Sequence, residues 1–170
     1  MTNPTIDVNI IKSFLVSTKN VLETMCNTTA KADKPKLKDD TLTYGEVTGI
    51  IGMASEDFTG CMVVSFSRNC ILNIVASMFM ETVKEEINDE IIDAVGELTN
   101  MICGGAKREL AKANHKFDLA TPTMIVGTGV EISYHSNAPT ILIPFTTEFG
   151  KFVVETNLGI AQIVEGGIQT

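Results

Sequence analysis

The sequence predicts an α+β fold, in which helices, one of them long and central, are layered on a mostly antiparallel β-sheet. The strongest observation is an amphipathic stretch over 89–110, whose apolar side chains recur at helical spacing. Two pairs of segments rich in β-branched residues, each pair separated by a turn signal, indicate two hairpins. The predicted order is helix, two strands, short helix, long helix, then three or four strands, which is typical of this fold class.

The first part of the chain predicts a helix, a connector and a hairpin. Apolar residues at helical spacing indicate a helix over 6–28. The polar segment 27–40, in which lysines and aspartates are interleaved, is expected to be an exposed connector. Strands are expected at 45–54 and 60–67, on either side of the turn SEDFTG. Two glycines inside the first of these strands indicate a bulge or the close approach of another element.

The rest of the chain predicts two helices and then mainly strands. Helical spacing indicates a short helix over 69–80 and the long helix from 89 to about 113. Segments rich in β-branched residues, bounded by proline, glycine or turn signals, predict strands at 124–126, 130–135, 140–147 and 151–156. The tail over 159–170 is expected to be loosely held.

Size and charge restrict the classes of function. With 170 residues, 44% of them hydrophobic and 20% charged, the chain suits one globular domain over 1–170. A net charge of −8 argues against nucleic acid or an anionic membrane as the main partner, because phosphate binding needs clustered Lys and Arg. No apolar run reaches the ~20 residues of a membrane span, and MTNPTIDVNIIKSFL lacks the features of a signal peptide. We therefore expect a cytoplasmic protein.

The two faces of the long helix differ in character. Its apolar residues are spaced by four, three and four positions: Ile91, Val95, Leu98 and Ile102. Asp93, Glu97 and Asn100 repeat the four-then-three spacing on the opposite stripe, and Gly104 continues that stripe one turn later. An ordinary solvent-exposed helix face also shows such a pattern.

The chemistry of the polar stripe suits a role in trans better than a self-contained active site. Asp93 and Glu97 alone supply no sugar or carbonyl pocket, and Asn100 is a poor metal ligand in a chain without HExxH. Cys103 lies away from the stripe, and neither histidine is placed by sequence to activate it. An amide can orient a water for attack, a carboxylate can pair with a partner's basic residue, and Gly104 would let that partner approach. This combination is typical of hydrolysis in which the partner carries the phosphoryl group and the metal.

The four cysteines indicate no metal site. They are far apart in the sequence and form no CxxC pair, so no zinc-ligand spacing is recognisable. We expect free thiols that are buried or half-buried.

The stretch Asp93-AVG-Glu97-LT-Asn100 resembles the signature of the CheC/CheX/FliY family of bacterial chemotaxis phosphatases: Asp or Ser, three residues, Glu, two residues, Asn. The hairpin VTGIIGMASEDFTGCMVVSFS, the helix NCILNIVASMFM and the strand ATPTMIVGTG are also similar to those of the family, which extends the resemblance over roughly 45–158. CheC-type members carry the motif a second time, on the N-terminal helix. Because that region here lacks the asparagine, the chain resembles CheX.

The resemblance implies a phosphatase that hydrolyses the phospho-aspartate of a CheY-like response regulator, in a two-component signalling pathway such as chemotaxis. It implies that Glu97 pairs with the regulator's lysine and Asn100 positions the water, with an orienting or contact role for Asp93 and a contact at Gly104. No cofactor of the chain's own is implied, because Mg²⁺ belongs to the regulator. A homodimer with sheets joined at an edge is also implied. The alternatives are a non-catalytic CheX-like adaptor that binds or sequesters a regulator, and a flagellar switch subunit related to FliY.

Overall fold

A computed structural model describes residues 8–134 and 136–160 of the chain. This part contains three helices, α1 (Val8–Cys26), α2 (Arg68–Phe79) and α3 (Asp89–Ala111). Its eight strands are β1 (Lys31–Ala32), β2 (Lys36–Leu37), β3 (Val47–Ala54), β4 (Phe58–Phe66), β5 (Asp118–Leu119), β6 (Thr123–Val126), β7 (Thr140–Thr147) and β8 (Gly150–Ile160). Across both ranges, no helix is long and apolar enough to span a bilayer.

One antiparallel sheet contains all eight strands. The strand order is β1-β7-β8-β4-β3-β5, with β2 also paired to β7 and β6 also paired to β3. The two predicted hairpins, β3 with β4 and β7 with β8, form its centre in continuous register, and the β4–β8 ladder joins them. With the helices layered on this sheet, the predicted α+β fold is confirmed.

Segment 27–40 is not the wholly exposed connector that its composition indicates. It contains β1 and β2, which pair with the outer edge of β7. The residue after each of these strands adds a backbone hydrogen bond, 2.8 Å from Asp33 N to Pro144 O and 2.9 Å from Lys38 N to Thr140 O. These bonds use main-chain groups, so a segment with charged side chains can still complete the sheet.

The strand expected over 130–135 does not form within residues 130–134. The backbone there makes one bridge, between Leu42 and Glu131, because its neighbour is an irregular loop rather than a sheet edge. His135 lies outside the described residues, as do residues 6 and 7 of the first predicted helix and the tail over 161–170. The first two residues of that predicted tail, 159 and 160, belong to β8.

The core lies between the helices and one face of the sheet. Among its largest fully buried side chains are Phe66, Phe145 and Phe152, one from each of β4, β7 and β8. The Phe152 ring stacks on Phe66 with centroids 4.9 Å apart and on Phe145 at 5.0 Å. Each such ring contributes about 1.5–3 kcal/mol through burial, so this stack joins the two hairpins beneath the helices.

A buried ion pair fixes segment 27–40 to the other face of the sheet. Glu155 follows the core residue Val154 on β8, so its side chain projects from the opposite face. Lys38 Nζ lies 2.8 Å from Glu155 Oε1, with side chains only 6% and 1% exposed, and also donates to Leu42 O at 2.6 Å. Burial raises the pKa of the Glu155 carboxyl above its usual value, and the Lys38 ammonium partly offsets that rise.

Lys38→Met is expected to lower the free energy of unfolding at neutral pH by about 3–5 kcal/mol, because the Glu155 carboxylate stays buried without its cation. A raised pKa means that the fold favours the protonated carboxyl, so the deficit should shrink as the pH falls from 7 to about 5. Denaturant unfolding at the two pH values measures this change. The double variant Lys38→Met/Glu155→Gln should recover most of the loss, and a pH-independent deficit would contradict this account.

Candidate functional site

The outer face of α3 carries the predicted site residues. Asp93, Glu97 and Asn100 are all exposed, and Gly104 is half-exposed. The residues of the predicted apolar seam are all 0% exposed: Ile91, Val95, Leu98 and Ile102. The two-faced helix is therefore confirmed, and the polar stripe is held outward by the burial of the opposite seam.

The start of α3 is fixed by a capping residue. The Asn88 side chain accepts a hydrogen bond of 3.0 Å from Ile91 N, which satisfies one of the free amide groups of the first turn. Asp89 and Glu90 occupy that turn, where negative charge is favoured by the helix dipole. These two acids are thus explained by helix stability, without a role in the site.

The sheet contacts α3 directly beneath the site. Gly49 of β3 faces Thr99, and a Cβ at position 49 would collide with the Thr99 hydroxyl. That hydroxyl donates to Val95 O at 2.6 Å, and the whole residue is buried. Because Thr99 precedes Asn100, this contact fixes the turn of α3 that presents the amide. The glycine inside the strand therefore marks a close approach, and the β3–β4 register contains no bulge.

Helix α1 contacts α3 just after Asn100. Ser17 Oγ donates a buried hydrogen bond of 2.6 Å to Ile102 O. A Cβ at Gly105 would collide with Ser17 Oγ. A Cβ at Gly104 would meet nothing nearer than Arg108 Nη1, at 3.9 Å. The two adjacent glycines thus differ: Gly105 allows helix packing, and Gly104 leaves an open position on the outer face.

Ser17 is a supporting residue that the sequence pattern does not reveal. A serine within an apolar helix gives little signal of its own. The only available signal is the spacing of four between Ser13 and Ser17, both buried, which places two small side chains on one face of α1. Small residues on one helix allow close packing against a glycine on its neighbour.

The polar groups of the stripe have no internal partners. Asp93, Glu97 and Asn100 make no side-chain hydrogen bond or ion pair with any other residue in 8–134 or 136–160. Their carboxylate and amide atoms are therefore available to another molecule. An amide has both a donor and an acceptor, so Asn100 can hold a water in a defined orientation without changing its protonation state.

The thiols do not serve as nucleophiles. All four cysteines are free, three of them buried and Cys61 half-buried, as predicted. Burial raises the pKa of Cys103, the thiol next to the motif, to about 12, so it stays protonated at neutral pH. In the described ranges, no three His, Cys, Asp or Glu side chains are grouped so that they could hold a metal ion.

Helix α1 carries no second copy of the stripe. At the matching spacing it presents Lys19 and Glu23 to solvent, but Cys26 occupies the asparagine position and is 0% exposed. Burial raises the pKa of that thiol to about 12. Without an exposed amide three residues after Glu23, this face cannot reproduce the arrangement on α3.

Residues 47–146 match the family model described as "Chemotaxis phosphatase CheX". A CheC-like superfamily protein from Shewanella sp. PV-4 has a similar crystal structure, with 39% identity, a TM-score of 0.84, and coverage of 91% of this chain and 99% of that one. Chemotaxis protein CheX from Vibrio vulnificus is 36% identical, with a TM-score of 0.83 and coverage of 89% and 100%. These matches confirm the resemblance that the motif indicates.

Two further relatives are less similar in sequence. The CheY-P phosphatase CheX of Thermotoga maritima is 22% identical over 126 residues, which are 74% of this chain and 81% of that protein. A CheX–CheY–BeF3–Mg²⁺ complex from Borrelia burgdorferi contains a chain of the same fold, with 24% identity, a TM-score of 0.70, and coverage of 90% and 98%.

The two glycines of α3 allow a matched test of the α1–α3 contact. Gly105→Ala is expected to lower the free energy of unfolding by about 1–3 kcal/mol, because its Cβ displaces the Ser17 hydroxyl from Ile102 O. Gly104→Ala has room for its Cβ and should be neutral or stabilising by up to about 1 kcal/mol, since alanine favours helix. Thermal unfolding of both variants measures the difference. An equal rise in Tm for both would show that the helices do not pack this closely.

Proposed function

The chain belongs to the chemotaxis phosphatase CheX family, and we propose that it hydrolyses the phospho-aspartate of a CheY-like response regulator. One observation carries this proposal: an intact Asp-x3-Glu-x2-Asn motif stands on an exposed helix face, with none of its side chains engaged elsewhere in the described chain. Such unpaired groups on a rigid helix suit insertion into a site that another protein provides. The family match supports the choice of substrate.

Asn100 is assigned the orientation of the hydrolytic water. Its Oδ1 would accept a hydrogen bond from the water and its Nδ2 would donate to an oxygen near the phosphoryl group. The water oxygen attacks phosphorus, and the bond from phosphorus to the aspartate oxygen breaks. The electron pair stays on the restored carboxylate, the water's proton passes to the phosphate, and phosphate leaves. A side-chain amide has the analogous task of orienting water in GTPases.

Glu97 is assigned to docking. It lies about one turn before Asn100 on the same stripe, so its carboxylate would meet the partner's surface when the amide enters. Pairing with the regulator's lysine in an interface without water would form a charge-assisted hydrogen bond and fix the approach of α3. Asp93, one turn further back, would make an orienting contact, and Gly104 would allow the partner's backbone to come close.

The divalent cation in this proposal belongs to the regulator. The Borrelia burgdorferi complex contains CheY, BeF3 and Mg²⁺ together with CheX, which supports this assignment. Such a cation neutralises charge on the phosphoryl oxygens.

This chain need only lower a barrier that the regulator's own site already reduces, and each tenfold acceleration requires about 1.4 kcal/mol. One positioned water and one ion pair supply energies of that size. The reaction would take place in the cytoplasm.

A homodimer is proposed through the free edge of β6. Within the described sheet β6 has β3 as its only strand partner. The segment 121–130 around it contains no charged residue, which leaves this edge suited to pairing. At the opposite edge, β1 and β2 are two-residue strands that carry Lys31 and Lys36, and short lysine-bearing strands discourage pairing.

Asn100→Ala is expected to reduce accelerated dephosphorylation by about a hundredfold while binding partly survives, because the water loses its orienting group. Glu97→Ala should raise KM by about tenfold and also lower turnover, since docking and alignment both depend on it. Phosphate release from a phosphorylated regulator gives both parameters. The control is Glu23→Ala on α1, which should retain wild-type rates. If wild-type protein binds the phosphorylated regulator without changing its decay, the chain is an adaptor instead.

The dimer prediction compares exposed apolar residues at the two sheet edges. Val126, on β6, is 50% exposed and Leu37, on β2, is 57% exposed. Val126→Lys should give a monomer, because edge-to-edge pairing would bury the new charge, whereas Leu37→Lys should stay dimeric. Light scattering coupled to size-exclusion chromatography measures the mass of each. A wild-type monomer, or a dimer lost only in Leu37→Lys, would refute the β6 interface.

A further inference from the structure

A guanidinium group lies beside the site with no internal partner. Arg108 is exposed, and its side chain makes no hydrogen bond or ion pair with the rest of the described chain. Its Nη1 is 3.9 Å from the point where a Cβ of Gly104 would stand, and its Nη2 is 3.7 Å from the equivalent point on Gly105. The side chain therefore runs back along α3 toward the glycine pair, in the direction that helical side chains favour.

This conformation brings positive charge to the face that carries the motif. Gly104 follows Asn100 by four residues, so the guanidinium lies about 6 Å further along the helix axis and close to the same stripe. A larger side chain at position 104 would occupy that space. The absence of side chains at both glycines is thus what allows a long cation to lie along this part of the helix.

The charge of Arg108 differs in sign from its acidic surroundings. The motif half of α3 is acidic, with Asp93 and Glu97 on the stripe, and the chain has a net charge of −8. The proposed partner site is also anionic, since it holds a phosphoryl group and a Mg²⁺ ion, which is itself bound through carboxylates. Approach of one acidic surface to another is unfavourable without a compensating cation.

The neighbouring lysines are directed elsewhere. Lys112 pairs with Glu109 at 2.8 Å. Lys107 is half-buried, and its ammonium opposes the rise in the pKa of Cys103, which places it near that buried thiol. Arg108 is therefore the cation that the described structure places next to Gly104.

We propose that Arg108 pairs with a carboxylate of the response regulator beside its phosphorylation site and so fixes the orientation in which α3 docks. The planar guanidinium can form two parallel hydrogen bonds to one carboxylate, which defines direction as well as charge. This role rests on the proposed function of the motif. The alternative is that Arg108 only stabilises the last turn of α3, where the helix dipole favours cations. In that case its removal would change stability and not docking.

Kinetics of Arg108→Gln separate docking from stability. The variant should raise KM about tenfold and leave kcat within about twofold, because the lost pair contributes to docking. Arg108→Lys should recover only part of the affinity, since an ammonium lacks the two-pronged geometry. Lys112→Gln, which removes the same charge from the residue that follows the same helix, should retain the wild-type KM. A lower Tm with unchanged KM would overturn the proposal in favour of the helix dipole.

Binding measurements distinguish a carboxylate from the phosphoryl group as the partner of Arg108. Arg108→Gln should lose affinity equally for the unmodified regulator and for the regulator loaded with BeF3⁻ and Mg²⁺, because the carboxylate is present in both. A loss confined to the BeF3⁻ form would assign the contact to the phosphoryl group and refute a carboxylate partner. If the proposed function is wrong, the wild-type protein will not accelerate dephosphorylation. If only the role of Arg108 is wrong, the wild type will be active and Arg108→Gln will have the same KM and affinity.

Discussion

The packing of α3 against two neighbours at the level of Asn100 is the constraint on which the site depends. On one side the Thr99 hydroxyl fits the space above Gly49 of the sheet. On the other, Ser17 of α1 hydrogen-bonds Ile102 O at 2.6 Å. Neither contact leaves room for an additional carbon atom, so the helix cannot rotate or slide without breaking one of them. The outward position of Asn100 follows from these buried contacts rather than from any interaction of its own.

This arrangement separates stability from function. The residues that hold α3 are buried and satisfied, and the residues assigned to chemistry are exposed and unpaired. Water solvates an exposed carboxylate and amide, so the free protein loses little stability by keeping them unengaged. Their value would appear only when a partner excludes that water, because electrostatic interactions strengthen in a desolvated site. A preorganised helix also loses little conformational entropy on docking, which favours the alignment of one water.

The sequence predicts the parts of this structure that depend on local pattern. Apolar spacing predicts the buried seam of α3 and hence the exposure of Glu97 and Asn100, and turn signals between β-branched segments predict both hairpins. Contacts that depend on distant residues leave no such pattern. The Lys38 side chain is buried because Glu155, 117 positions later, lies beneath it. The polar sequence on either side of Lys38 predicts that it is exposed. Pairing of β1 and β2 uses backbone groups, which composition does not report, and Ser17 matters only because Gly105 lies opposite.

The proposed activity requires that an exposed helix face accelerates a reaction in another protein's site. Its most direct test is phosphate release from a panel of the host's phosphorylated response regulators, with and without the wild-type chain. We expect the decay of at least one regulator to accelerate with the concentration of this protein and to saturate as the complex forms. Unchanged decay across the whole panel, with phosphorylation and Mg²⁺ verified, would contradict the assignment of α3 as a phosphatase surface.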